Sequence, residues 1–273
     1  MNIFNAILFG LIQGITEYFP ISSSAHLAVF GNLFGVNTVD YNYSMFSVFA
    51  HFGTIMAAII VCWNDFADMI YEIAIMRSSE HSKPYYNAVK TLYLMIISCI
   101  PLISGIFIIN RLNSLYSTTW FLGVAVILNG VLLFIADHFP NCNKGIGKMT
   151  ALDALVVGIA QICSIFPGIS RTGTVLCSSM AVGLKKDLAY KYALLLSIPA
   201  ALGANILQIF SSAAYGFEWN MLPGFLVGTA ASLVSGILII KLMQKICNHV
   251  RLSYFAYYCW VAGVLFIILT MIF

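Results

Sequence analysis

The chain alternates long apolar runs with short charged connections. Six stretches contain no Asp, Glu, Lys or Arg: Tyr41–Asn64, Thr91–Asn110, Leu112–Ala136, Tyr192–Phe217, Trp219–Ile240 and Leu252–Phe273. A helix needs about 20 mainly apolar residues to cross a bilayer, so each stretch is predicted to cross once. Two further apolar regions are interrupted. Asn2–Phe34 contains Glu17, Pro20, a serine run and His26, and Ala154–Leu184 contains Pro167, Gly168, Arg171 and Gly173. Proline removes a backbone donor and clashes with the preceding turn. Non-helical backbone at membrane depth survives only against protein or a wet cavity. Both regions are therefore predicted to be re-entrant broken helices.

The two interrupted regions resemble each other. Gly10-x-x-Gln13 is matched by Gly158-x-x-Gln161, Phe19-Pro20 by Phe166-Pro167, and a serine follows each proline three residues on, at Ser23 and Ser170. Chance similarity between apolar segments is the competing explanation. The pattern favours one membrane domain over 1–273, built from a first copy (1–137) and a second (151–273), each a broken segment followed by three spans. Charge placement tests the topology. With both broken segments re-entrant, one side carries Arg77, Lys83, Lys90, Lys144, Lys148, Lys185, Lys186, Lys191, Lys241, Lys245 and Arg251, and the other carries Arg111 alone. If both crossed fully, the basic residues would divide almost evenly. Loop Lys and Arg concentrate on the cytoplasmic side, so the re-entrant arrangement is preferred. Three crossings separate the starts of the two copies, which makes the repeats inverted. Inverted repeats with broken helices place a site at their interface near the midplane.

Composition narrows the class further. Of 273 residues, 61% are hydrophobic and 8% charged, against about 25% charged in a typical soluble domain. A soluble enzyme and a disordered chain are both excluded, leaving an all-α polytopic membrane protein. A net charge of +3 is too mild to suggest a nucleic-acid partner. The seven cysteines form no C-x-x-C pair and read as buried thiols, neither a disulfide framework nor a zinc site. The start of the chain, MNIFNAILFG, lacks a basic n-region, so no cleaved signal peptide is expected.

Charged residues inside apolar segments mark functional sites by default, because burying a charge at the bilayer centre costs roughly 2.5–3.5 kcal/mol even on lenient scales. Two stand out here, Glu17 and Arg171, at corresponding places in the two breaks. A structural ion pair between them competes with a shared functional cavity. Gln13 and Glu17 lie one helical turn apart and suit a hard divalent cation or a proton. Ser22, Ser23 and Ser24 lie within four residues of His26, so a nucleophile, a base and an orienting carboxylate are all at hand. The second break, Pro167-Gly168-Ile169-Ser170-Arg171-Thr172-Gly173-Thr174, combines glycines, hydroxyls and a guanidinium at a helix start, a cradle suited to phosphate. Gly168, Ser170, Thr172, Gly173 and Thr174 are its candidate contacts. No nucleotide-binding glycine motif is present. His51 reads as a packed helix-contact residue.

Gln13-Gly-Ile-Thr-Glu17-Tyr-Phe-Pro20-Ile-Ser-Ser-Ser-Ala-His26 resembles the (E/Q)-G-x-x-E-x-x-P-x-S-S-x-x-H motif of the undecaprenyl-diphosphate phosphatases, the bacitracin-resistance family, and Pro167-Gly-Ile-Ser-Arg171-Thr-Gly resembles their P-G-x-S-R-S-G motif. The resemblance implies hydrolysis of a polyprenyl diphosphate lipid to the monophosphate carrier used in cell-wall synthesis. It further implies a divalent cation (Mg2+ or Ca2+) and a multi-pass location in the bacterial plasma membrane with an outward-facing site. By motif position it makes Glu17, Ser23, His26 and Arg171 catalytic, with Gln13 and Glu17 at the cation and Ser22 joining the phosphate contacts. Ser23 would be the preferred nucleophile and His26 its base, with direct attack by His26 or by water as the alternatives. Membrane lipid surrounds such a protein, and a second copy of the chain is a further candidate partner. Three positions depart from the family pattern. Val175 stands where threonine is usual, His51 where glutamine is expected, and Tyr257-Tyr258-Cys259 lacks an arginine often found there. The competing class is a polyprenyl-phosphate transporter using the same inverted-repeat cavity.

Overall fold

The computed structural model describes residues 2–36, 41–76, 86–105, 119–140, 142–212 and 218–272. Among these residues the fold is all-α: eleven α-helices, with a single isolated bridge between Lys144 and Leu184. They are α1 (Ile3–Tyr18), α2 (Ser23–Leu33), α3 (Tyr41–Val61), α4 (Trp63–Met76), α5 (Tyr86–Ile103), α6 (Thr119–Asp137), α7 (Ala151–Gln161), α8 (Arg171–Ala181), α9 (Lys186–Ser212), α10 (Leu222–Ile246) and α11 (Leu252–Ile272).

Five segments are long and apolar enough to cross a membrane: Tyr43–Val61, Trp120–Asp137, Lys186–Ser211, Trp219–Ile246 and Leu252–Leu269. They correspond to five of the six predicted spans. The sixth, 91–110, is described only to Gly105, where its apolar helix Ala88–Ile103 falls short of span length. Arg77, Lys83 and Arg111, used in the charge argument, lie outside the described residues. The outer surface is apolar, as lipid contact requires, with Leu238, Val261 and Phe210 strongly exposed. Helix α4 adds an element that apolar run length did not reveal. It buries Met69 and Glu72 and exposes Ile70, Tyr71 and Ile73. The Glu72 carboxylate accepts the Val89 N–H at 2.5 Å, tying α4 to the start of α5.

Both interrupted regions are helix–break–helix units. Helix α1 ends at Phe19-Pro20 and the chain restarts as α2; α7 runs into a 3-10 turn (Ile162–Ile165), breaks at Pro167, and restarts as α8. Packing partners exchange between the two halves of the chain. Helix α1 packs on α10 as α7 packs on α5, α6 pairs with α11, and α3 with α9.

These contacts are close because small residues line them. A Cβ on Gly14 would lie 2.5 Å from the Ser232 carbonyl oxygen and 2.0 Å from Ser235 Oγ. A Cβ on Gly158 would lie 2.5 Å from the Ser98 carbonyl oxygen. In lipid, helix association rests on packing and interhelical hydrogen bonds, for which small residues allow the needed approach. Ser98 Oγ donates to the Ala154 carbonyl at 2.7 Å, and Ser232 Oγ to the Ala50 carbonyl at 2.8 Å. The α1–α3–α10 cluster thereby fixes the register of α1, which carries Gln13 and Glu17.

Gly14→Ala is expected to force α1 away from α10. Overpacking of this kind costs about 1–3 kcal/mol, and the thermal unfolding midpoint in detergent should fall accordingly. An unchanged midpoint would show that α10 yields at this contact.

Candidate active site

The first break assembles around Glu17. Gln13 is fully buried and Glu17 nearly so, on one face of the last two turns of α1. Gln13 Nε2 donates to Glu17 Oε2 at 3.0 Å and lies 2.9 Å from His51 Nδ1, which is itself 3.8 Å from the same carboxylate oxygen. Ser23 Oγ donates to Glu17 Oε2 at 2.7 Å. Ser22, the N-cap of α2, has φ 74°, the one positive φ outside glycine among the described residues. Such conformations cost of order 1–3 kcal/mol and cluster at functional sites. Here the turn aims the start of α2, and with it Ser23, back at Glu17.

His26 is placed differently from the expectation that it serves Ser23. Its Nδ1 lies 2.6 Å from the Ser22 carbonyl oxygen, which only accepts, so Nδ1 carries the proton. The lone pair on Nε2 then accepts from the Tyr258 hydroxyl at 2.8 Å. The ring stacks on Tyr258 with centroids 5.7 Å apart and meets Phe266 edge-on at 5.2 Å. Both ring nitrogens are engaged, and the Ser23 proton points to Glu17 instead.

The second break lies directly against the first. Gly168, at φ 96°, donates its N–H to Ser24 Oγ at 3.1 Å. Ser170 caps α8, its Oγ accepting the Gly173 N–H at 3.0 Å. Thr174 Oγ1 donates to the Ser170 carbonyl at 2.8 Å, and Thr172 Oγ1 to the Glu17 carbonyl at 2.9 Å. The hydroxyls of Ser170, Thr172 and Thr174, expected to face phosphate, thus hold the break together in this structure. Gly173 packs against Pro20, and Ser22 Oγ is shared with the Ala25 N–H and Ser24. Two helix N-termini converge here, α2 and α8. Asn129 of α6 bridges the breaks: its Nδ2 donates to the Pro20 carbonyl at 2.8 Å and its Oδ1 accepts the Ser170 N–H at 3.0 Å.

Arg171 makes no ion pair within 4.0 Å among the described residues, and its Nε is buried without a hydrogen-bond partner. Its charge lies within electrostatic reach of Glu17 and His51. A structural Glu17–Arg171 ion pair is therefore not what holds the breaks together. A partly buried guanidinium left unpaired is costly, and a phosphate group is the natural complement of its fork.

Gln13, Glu17, Ser23 and Arg171 are thus gathered at one place, with His26 beside them on Tyr258. Sequence reasoning did not single out Asn129, and gave His51 and Tyr258 no place in the site. Asn129 sits in the run Val-Ile-Leu-Asn129-Gly-Val, where an intramembrane polar side chain is itself a signal. His51, expected as a helix-contact residue, makes that contact with Gln13 of α1. Tyr258 lies in the Tyr257-Tyr258-Cys259 stretch, noted only for the arginine it lacks.

The arrangement sets a cation without an ion-pair partner among the described residues beside a hydroxyl–carboxylate pair where two helices begin. Residues 6–265 match the family model described as bacitracin resistance protein BacA. The chain is 35% identical to the undecaprenyl-diphosphatase of Halothermothrix orenii, with both chains covered in full. Its identity to the undecaprenyl-diphosphatase of Alkaliphilus metalliredigens is 32%, again with full coverage of both. It is also 34% identical to that of Methanococcus maripaludis, over 97% of this chain and 98% of that one. The chain belongs to the BacA family.

Replacing Asn129 with Leu would leave the Pro20 carbonyl and the Ser170 N–H buried without partners, at about 1–3 kcal/mol each. Phosphate release from undecaprenyl diphosphate is expected to fall at least tenfold although Asn129 touches no reacting atom, and the thermal midpoint is expected to drop with it. Full activity in this variant would show that the two breaks hold together without the bridge.

Proposed function

We propose that the protein hydrolyses undecaprenyl diphosphate to undecaprenyl phosphate and inorganic phosphate, recycling the carrier lipid of cell-wall synthesis and so conferring bacitracin resistance. The observation that carries this reading is the unpaired Arg171 guanidinium beside the Ser23–Glu17 hydrogen bond, where two helix N-termini meet. Family membership and the names of the relatives point the same way.

In this mechanism Ser23 Oγ attacks the terminal phosphorus in line. The Oγ–P bond forms, the P–O bond to the bridging oxygen breaks, and undecaprenyl phosphate leaves. Glu17 takes the Ser23 proton across their 2.7 Å hydrogen bond and passes it to the departing phosphate or to solvent. Water then attacks the phosphoserine. One of its protons stays on the inorganic phosphate and the other returns through Glu17 to Ser23 Oγ. Arg171 and the N–H groups at the starts of α2 and α8 stabilise the charge that spreads over the equatorial oxygens, which is the main catalytic demand in phosphoryl transfer. His26, held by Ser22 and Tyr258, keeps its imidazole beside the nucleophile's turn.

A divalent cation fits the residues present. Gln13 meets the Glu17 carboxylate through Nε2, and its Oε1 is buried without a partner; half a turn of the carboxamide would set that oxygen beside the carboxylate, a hard donor pair. Gln13 and Glu17 would hold the ion. When bound, it would neutralise diphosphate charge. The reading further takes 1–137 and 151–273 as inverted repeats with the site between them, in the plasma membrane and facing outward. Its support is the basic-residue asymmetry together with the exchange of packing partners.

Phosphate release by the detergent-purified protein tests the reading. Wild type is expected to release phosphate from undecaprenyl diphosphate, and Arg171→Ala to lose at least about 100-fold in kcat, the scale for removing one transition-state donor. Ser23→Ala and Glu17→Gln should be similarly impaired. Absence of release by folded wild type across several divalent cations would overturn it. Persistence in Ser23→Ala would move the attack to water.

A further inference from the structure

We propose that His51 Nδ1 is a third ligand of the cation site, and that the site therefore prefers first-row transition ions over Ca2+, with Mn2+ the weakest-binding of them and the spectroscopic probe. This rests on the cation reading given above. Three side chains from two helices converge there. Gln13 Nε2 is 2.9 Å from His51 Nδ1 and 3.0 Å from Glu17 Oε2, and the remaining edge, His51 Nδ1 to Glu17 Oε2, is 3.8 Å. Half a turn of the Gln13 carboxamide about its terminal bond exchanges Nε2 for Oε1, turning the triangle into two oxygens and a nitrogen. Octahedral ions with ligand distances of about 2.0–2.1 Å place neighbouring donors about 3 Å apart. Two edges have that length, and the third requires only a small side-chain adjustment.

His51 Nδ1 is available for this role. Its neighbour, the Gln13 amide N–H, donates, so Nδ1 presents its lone pair to the cluster. Its helix is held in place: the Ser232 hydroxyl donates to the Ala50 carbonyl, and a Cβ on Gly53 would lie 2.4 Å from the Thr229 carbonyl oxygen. His51 therefore faces α1 at a fixed height. Gln13 Nε2 faces the cluster in this structure and Oε1 is buried without a partner, so it is the half turn of the carboxamide that would bring the oxygen to a cation.

The donor set then decides the metal. Ca2+ takes six to eight oxygens and gains affinity with carboxylate count. Here there is one carboxylate. Imidazole favours the transition series, whose affinities rise from Mn2+ onward. One carboxylate, one carboxamide and one imidazole suit Mn2+, Co2+ or Zn2+ better than Ca2+.

The test uses metal-free, detergent-purified full-length protein and reads Mn2+ binding by electron paramagnetic resonance, with electron spin-echo modulation reporting directly coordinated nitrogen. Wild type is expected to bind one Mn2+ that resists an excess of Ca2+ and shows imidazole modulation. His51→Gln, with folding verified by its thermal midpoint, is expected to lose the nitrogen modulation, bind Mn2+ at least tenfold more weakly, and lose the preference over Ca2+. Unchanged affinity and modulation in His51→Gln would overturn the assignment of His51. Glu17→Gln separates this from the broader reading. If Mn2+ binding disappears in Glu17→Gln but is untouched in His51→Gln, the cation site stands and His51 is not its ligand. If Mn2+ binds equally well without Glu17, or wild type binds none, the site itself is refuted along with the ligand assignment.

Discussion

One carboxamide closes the two interruptions of this protein onto each other. Asn129 is almost completely buried, and its two polar atoms reach the Pro20 carbonyl on one side and the Ser170 N–H on the other. Each of these backbone groups is freed by a break in a helix. Neither could remain unpaired at membrane depth, where water is not at hand to replace the lost bond. A single side chain on α6 meets both needs, and in doing so brings the starts of α2 and α8 face to face. Everything chemical in the site follows from that convergence. Ser23 reaches Glu17 because α2 begins where it does, and Arg171 is delivered by the first residue of α8.

The surrounding helices exist in positions that allow this clamp to form. Backbone-to-backbone approach at Gly14 and Gly158 sets α1 against α10 and α7 against α5. Hydroxyls then stitch the contacts, from Ser98 to Ala154 and from Ser232 to Ala50. Since lipid gives helices no hydrophobic reason to associate, this pairing of small residues with buried hydrogen bonds is the principal source of cohesion. The same logic explains why so many hydroxyls in the breaks are engaged. Ser170, Thr172 and Thr174 satisfy backbone atoms, which leaves the guanidinium of Arg171 and the helix N-termini to meet an anion.

Much of this was legible in the residues. Proline and serine inside apolar runs marked both breaks, and the isolation of Glu17 and Arg171 marked the site. Five spans were recoverable from run length alone. What could not be read were contacts between residues remote in sequence. His26 meets Tyr258 across 232 positions, and Asn129 meets Pro20 across 109. Local spacing suggested His26 as the base for Ser23, because the two lie three residues apart. The observed pairing differs because the Ser22 carbonyl captures Nδ1 and turns the other nitrogen toward α11. The particular partner of His51 was hidden for the same reason: it lies on α1, and only the α1–α3–α10 packing brings the two together. Helix α4 escaped because its acidic residues break the apolar run that served as the criterion.

The distribution of chemistry between the two breaks has a consequence for how the polypeptide could be divided. Ser23 and Glu17 belong to the first half, while Arg171 belongs to the second. The clamp side chain comes from the last helix of the first half, and the tyrosine that meets His26 from the last helix of the second. Neither half owns a finished site. A chain severed in the 138–150 connection would yield two inert fragments whose activity depended on finding each other in the bilayer. Phosphate release would then become a direct reporter of fragment complementation within a membrane.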